Sequence, residues 1–204
     1  MRHTQRVKGF TLVEMMVALF VSAILATVMV RLFSVTSQTG REELARSSTE
    51  GAVLIFMRLI EQDLQHTTPA GISLAATEDA LVVHPMGDAL STGQIVYQDL
   101  AVLWSYDPVL KTLRRREYEG VLSPFTEPQR LDEAEILVLK SDPNGKVAKV
   151  LTGVTSFRIQ NPAGVTVPQI GSPLTVEIEK EVDGATTRPS VKFTRAVYVR
   201  TGSS

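Results

Sequence analysis

Polar and apolar positions divide this chain into stretches with different periods. Residues 1–9 are polar and basic, with Arg2, Arg6 and Lys8 and no acid. Residues 10–30 are apolar and hold one charge, Glu14, before Arg31 ends the run. The next stretch, "SVTSQTGREELARSSTEG", has two glycines, Gly40 and Gly51, and many hydroxyls. All are mediocre helix formers. Then Val53, Phe56, Met57, Ile60 and Leu64 recur at three- and four-residue spacing, with Arg58, Glu61, Gln62, Asp63 and Gln65 filling the opposite face. Pro69 and Gly71 stop the pattern. These positions predict a helix, continuous or nearly so, from Phe10 to about Thr67, with Ser34 to Gly40 as the place for a bend or melt. Its amphipathic half is expected on the dry side of a sheet from the same chain.

From Gly71 the period shortens to two, the signature of strands. "ALVVHP" (Ala80 to Pro85) reads as a short strand. "AVLWSY", "DPVLK" and "TLRRREY" read as strand, turn and strand, with Asp107-Pro108 in the turn. "EILVLKS", "DPNGK" and "VAKVLT" read as a second hairpin around Asp142-Pro143-Asn144-Gly145. "VTSFRIQN", "LTVEIEKEVDG" and "VKFTRAVYVR" add further strands. In "LTVEIEKEV", Thr175, Glu177, Glu179 and Glu181 alternate with Val176, Ile178 and, after Lys180, Val182. One face is wet and one dry, as in an antiparallel sheet packed on one side. The proline-rich stretch from Gly120 to Asp132 reads as an extended loop. The fold class is α+β.

The apolar run is about twenty residues, long enough to cross a bilayer. The basic residues before it would stay on the cytoplasmic side. Three readings compete: a secretory signal cut near Ala23 or Ala26, an anchor never cut, and a leader cut before the run so that the run is kept. The first two leave Glu14 without a purpose, since a charge in a membrane segment is expensive.

"KGFTLVE" resembles the class III signal of type IV prepilins and type II secretion pseudopilins. The resemblance implies that a prepilin peptidase cuts after Gly9, that Phe10 becomes the N-methylated first residue, and that Glu14 is the glutamate at the fifth mature position. A free amine on Phe10 would be cationic, and could meet Glu14 of a neighbouring subunit in a packed filament. The alternative is that Glu14 snorkels to the headgroups. The strand order, with "VLWSYDPVLKTLRRREY", "VLTGVTSFRIQ" and "FTRAVYVRTG", resembles the J-type minor pseudopilin of type II secretion and the W-type minor pilin of type IV pili. The family implies a pilin-like fold, a long N-terminal helix on an antiparallel β-sheet domain. The expected division is a leader over 1–9, a transmembrane helix over 10–33, an amphipathic continuation over 34–68 and a β-rich domain over 72–204.

A net charge of −1 argues against general nucleic-acid binding. The absence of cysteine excludes disulfides, thiolate zinc sites and a cysteine nucleophile. His3, His66 and His84 lie far apart without metal-ligand spacing, and each is expected to be a surface or capping residue. "SDPNGK" lacks the several spaced acids of a calcium cage, so Asp142 and Asn144 are expected to shape a turn. In "RRRE", Arg114 and Arg116 would point one way and Arg115 the other. The choice there is between a charged edge strand paired with nearby acids and an ion-pairing patch for a partner subunit. No glycine-rich phosphate loop, nucleophile elbow or acid pair suggests an enzyme, a cofactor or a metal.

The expectation is therefore a minor pseudopilin that helps initiate or cap a type II secretion pseudopilus. Its partners would be a prepilin peptidase and other minor and major pseudopilins or pilins, in the inner membrane, with the C-terminal domain periplasmic or extracellular. The alternatives are a minor pilin of a type IV pilus or competence system, and a membrane-anchored binding module that does not polymerise.

Overall fold

The computed structural model of the chain describes residues 11–89, 94–122, 127–183 and 189–199. Gly9, Phe10 and His3, and part of the loop expected from Gly120, lie outside the described residues. The chain divides into two compact units, Met1–Leu44 and Ala45–Ser204.

In chain order the elements are α1 (Leu12–Gln65), β1 (Ile72–Leu74), β2 (Ala80–Val83), β3 (Met86–Ala89), β4 (Ile95–Tyr97), β5 (Leu100–Asp107), β6 (Thr112–Glu119), α2 (Glu133–Ser141), β7 (Lys146–Thr152), β8 (Val154–Gln160), β9 (Leu174–Glu181) and β10 (Ser190–Val197). The backbone of α1 stays helical through Ser34 to Gly40. A 3-10 turn at Pro69–Gly71 follows it, where proline denies a further helical hydrogen bond.

Within the second unit, the antiparallel strands form a five-stranded sheet, β1-β2-β5-β6-β7, a three-stranded sheet, β10-β9-β8, and a β3-β4 pair. Val53, Phe56, Met57, Ile60 and Leu64 of α1 are buried in one core with both larger sheets, meeting Val102 and Trp104 on one and Phe157, Val176 and Ile178 on the other. Phe56 meets Trp104 edge-on, with ring centroids 6.0 Å apart. Burying each such side chain contributes about 1.5–3 kcal/mol. In β9 the burial alternates strictly, so the period-two pattern holds. It also carries Lys180 to the dry face, 3% exposed, where its ammonium donates to Asp183 at 2.8 Å.

Four expectations are corrected. Glu135 to Ser141 is not a strand but most of α2, and β7 pairs with β6. A capping box starts α2: Asp132 accepts from the Glu135 N–H, and Glu135 accepts from the Asp132 N–H, both at 2.8 Å. Ile136 and Leu139 then fall on one helical face and pack on Ala101, Leu103 and Tyr118. The larger sheet is thus covered on both faces, and its middle strand β5 is buried through Ala101 to Ser105. Gly145, after α2, lies so close to the Tyr118 ring that any Cβ there would collide with it.

The arginine-rich strand is not an edge either, since β6 lies between β5 and β7. Asp63 is not on the wet face of α1. It is largely buried and receives Trp104 Nε1–H at 2.8 Å and two Arg115 N–H groups at 2.8 and 3.0 Å. Finally, His84 is fully buried, and not at the surface. The Gln129 N–H can only donate, so Nδ1 accepts it at 3.0 Å and Nε2–H donates to the Gln98 carbonyl at 2.7 Å. His66 does cap α1, with Nδ1 at 2.7 Å from the Gln62 carbonyl. Asp142 does shape its turn, accepting from the Asn144 N–H at 2.8 Å.

Candidate functional site

The N-terminal part of α1 carries the candidate site. Thr11 is the last residue before the helix, and Glu14 stands at its third helical position. The Glu14 carboxylate accepts from the Thr11 N–H at 2.8 Å and from its hydroxyl at 3.1 Å. The Thr11 hydroxyl accepts from the Glu14 N–H at 3.3 Å. This is a reciprocal capping box. It satisfies two N–H groups that a helix start leaves without partners. It also sets the carboxylate at the positive end of the helix dipole. The charge thus has a use within its own chain, which neither sequence reading of Glu14 contained. The signal was there to find: threonine followed three residues later by glutamate, ahead of an apolar run.

Every residue from Thr11 to Thr36 is exposed, although the run is apolar. Leu12, Phe20 and Met29 are each more than two-thirds exposed. Water would make so large an apolar surface costly, and a lipid or protein covering would not. The helix is long and apolar enough to cross a membrane. A hydrocarbon setting rewards polar atoms that are paired within the helix. The Thr27 hydroxyl, for example, donates to the Ala23 carbonyl at 2.8 Å.

Residues 4–30 match the family described as the prokaryotic N-terminal methylation motif, a range that contains Arg6, Lys8, Gly9, Phe10 and the capping Glu14. Its N-terminal segment is similar to that of type IV prepilin-like proteins. A pilin-like protein, PilA3 of Thermus thermophilus, is 40% identical to this chain over 58 residues. That match covers 28% of this chain and 25% of the relative, so the chain spans only about a quarter of that protein. No solved structure matches the chain.

Chemistry of other kinds is not gathered anywhere comparable. Among the described residues, no three metal-ligating side chains converge. Among the described residues of the second unit, Arg115 is a charge held by two acids. Asp63 and Glu117 raise its already high pKa, and they form a brace between α1 and β6. Sequence reasoning placed Arg115 opposite to Arg114 and Arg116 correctly. It missed Asp63 as the partner, because a lone acid on a helix flank looks like any solvated charge.

Proposed function

We propose that this chain is a minor pseudopilin, cut between Gly9 and Phe10 and N-methylated at Phe10. Residues 10–33 anchor it in the inner membrane, and the β-rich domain lies outside the inner face. Its helix packs with those of other pilin-like subunits to start or cap a type II secretion pseudopilus. Glu14 then pairs with the terminal amine of a neighbour during assembly. The observation that carries the reading is the methylation motif in register with a fully exposed apolar helix, whose first turn is closed by Thr11 and Glu14. A minor pilin of a type IV pilus is the second reading, favoured by the likeness to a protein named as pilin-like.

Mass analysis of the protein's N-terminus tests the processing step. The expected mature chain starts at N-methylated Phe10. A chain starting at Met1, or near Ala23 or Ala26, would sink the proposal. Co-purification then separates the two readings, since a pseudopilin brings down secretion-system minor pseudopilins and a pilin brings down pilus subunits.

A further inference from the structure

The three consecutive arginines of β6 meet different surroundings, because alternate residues of a strand face opposite ways. Arg115 faces α1 and is neutralised by Asp63 and Glu117. Arg114 and Arg116 face the other way and line an open groove of about 400 Å³ beside α2. Leu137 and Lys140 of α2 form one wall, and Asp107 and Pro108 belong to the turn at one end.

Among the described residues, neither groove arginine has a carboxylate partner. Arg114 makes no hydrogen bond or ion pair among the described residues. Arg116 donates only to neutral groups, the Asp142 and Lys140 carbonyls at 3.0 and 3.4 Å and the Tyr118 hydroxyl at 3.5 Å. Its Nε is buried without a partner. Both side chains are half-buried, where an uncompensated charge is costly. Elsewhere in the unit, Arg115, Lys140 and Lys180 each meet an acid. The acids near the groove are already engaged: Asp79 holds Lys140, and the Asp107 carboxylate accepts from the Val109 and Leu110 N–H groups. Two exposed apolar side chains lie at or beside the groove, Leu137 in its lining at 53% and Val150 at 45% exposure. Val150 stands opposite Arg114 in the β6-β7 register.

We propose that this groove docks an extended acidic segment of a partner protein. Arg114 and Arg116 are two residues apart on a strand, roughly 7 Å, which is also the repeat of same-side residues in an extended peptide. Two carboxylates at alternate positions would each meet a guanidinium, the pairing that arginine makes best. An apolar neighbour in the segment would rest on Leu137 and Val150. Nucleic acid is a poor fit, since the chain is not basic and Asp79 and Asp107 flank the groove. The inference is independent of the processing proposal, which is read at the other end of the chain.

The test titrates the full chain, purified in detergent, with a blocked fluorescent peptide of alternating Glu and Val, read by anisotropy. The expected result is saturable binding, with the Gln-for-Glu peptide and the Arg114→Glu protein each at least about tenfold weaker. Arg114 makes no hydrogen bond or ion pair among the described residues, so its replacement should leave the circular dichroism spectrum unchanged. Arg158→Glu, at an exposed arginine of β8, should bind the peptide as the native protein does. Equal binding of the Gln peptide, equal binding by Arg114→Glu, or no binding at millimolar peptide would each overturn the proposal. So would stronger binding of inorganic phosphate or of a short DNA duplex than of the Glu peptide.

Discussion

Two stretches of α1 are apolar for different reasons. Met15 to Val30 carries no charge, has apolar residues on every side and is exposed all round. Val53 to Leu64 is apolar on one face, and that face is buried against two sheets. The second stretch has found its cover within the chain. The first has none among the described residues, so its sequence is fitted to a medium or a partner that lies elsewhere. A helix with a single apolar stripe can be satisfied by one sheet, whereas a helix apolar on every side needs lipid or other helices around it.

The sharpest way to break this comparison is to cut the same kind of side chain from each stretch. Ile60→Ala should cost up to about 5 kcal/mol, because Ile60 is fully buried and its loss leaves a cavity. Leu25→Ala should change fold stability by less than about 0.5 kcal/mol, because Leu25 touches no core. Denaturant midpoints of the full chain in detergent would measure both. Equal losses would mean that the exposed stretch contributes to the folded unit after all.

Next in size is the polar brace on the buried stretch. Asp63→Ala should cost about 3 kcal/mol, since it leaves the largely buried Arg115 with Glu117 alone and the Trp104 N–H without its acceptor. An Asp63→Leu, Arg115→Met pair should recover part of that loss, because the more buried pair of charges goes together and the Glu117 carboxylate that remains still reaches water. If the double variant is no more stable than Asp63→Ala, the brace is not the source of the cost.

These elements show what the sequence could reveal. The dry face of α1 and the alternation in β9 were legible because each repeats a simple period over several residues. α2 was misread because "ILVL" suits a strand as well as a buried helix turn, while the Asp132–Glu135 box that decides the matter lies just before it. β1, β3 and β4 span only three or four residues each, too short for an alternation to register. Asp63 and His84 were missed for a different reason. Their partners, Arg115 and Gln129, are far along the chain, and no local pattern encodes such contacts. The motif at the N-terminus was legible because a short signal read by another protein must be written locally.

A smaller effect concerns His84. Burial holds its imidazole below the ordinary value near 6.5, against the upward pull of the Gln98 carbonyl and the Asp99 carboxylate. Above that ordinary value the residue is neutral in both states, and pH has no effect through it. As pH falls below it, the unfolded chain takes the proton first. Stability then drops until the pH has passed the folded value, by at most about 1.4 kcal/mol per pH unit. Denaturation midpoints between about pH 7 and about pH 5.5 would show the slope, before most carboxylates titrate. A His84→Gln variant should flatten it. An unchanged slope in that variant would place the sensitivity elsewhere.

The smallest energetic effect, at the start of the exposed stretch, sharpens the comparison most. Thr11→Val should cost about 1 kcal/mol of helix stability and fray the first turn, visible as faster amide exchange at Leu12 to Glu14. Glu14→Ala removes both the capping bond and the charge. Glu14→Gln keeps an acceptor in the same place and removes only the charge, because glutamine also serves in a capping box. If the charge pairs with a neighbour's amine, Gln and Ala should impair assembly alike, while Gln alone keeps the first turn ordered. If Gln assembles as the native chain does, Glu14 acts by closing its own helix. The exposed stretch would then owe its first polar residue to the same local need that places Asp132 and Glu135 at the start of α2.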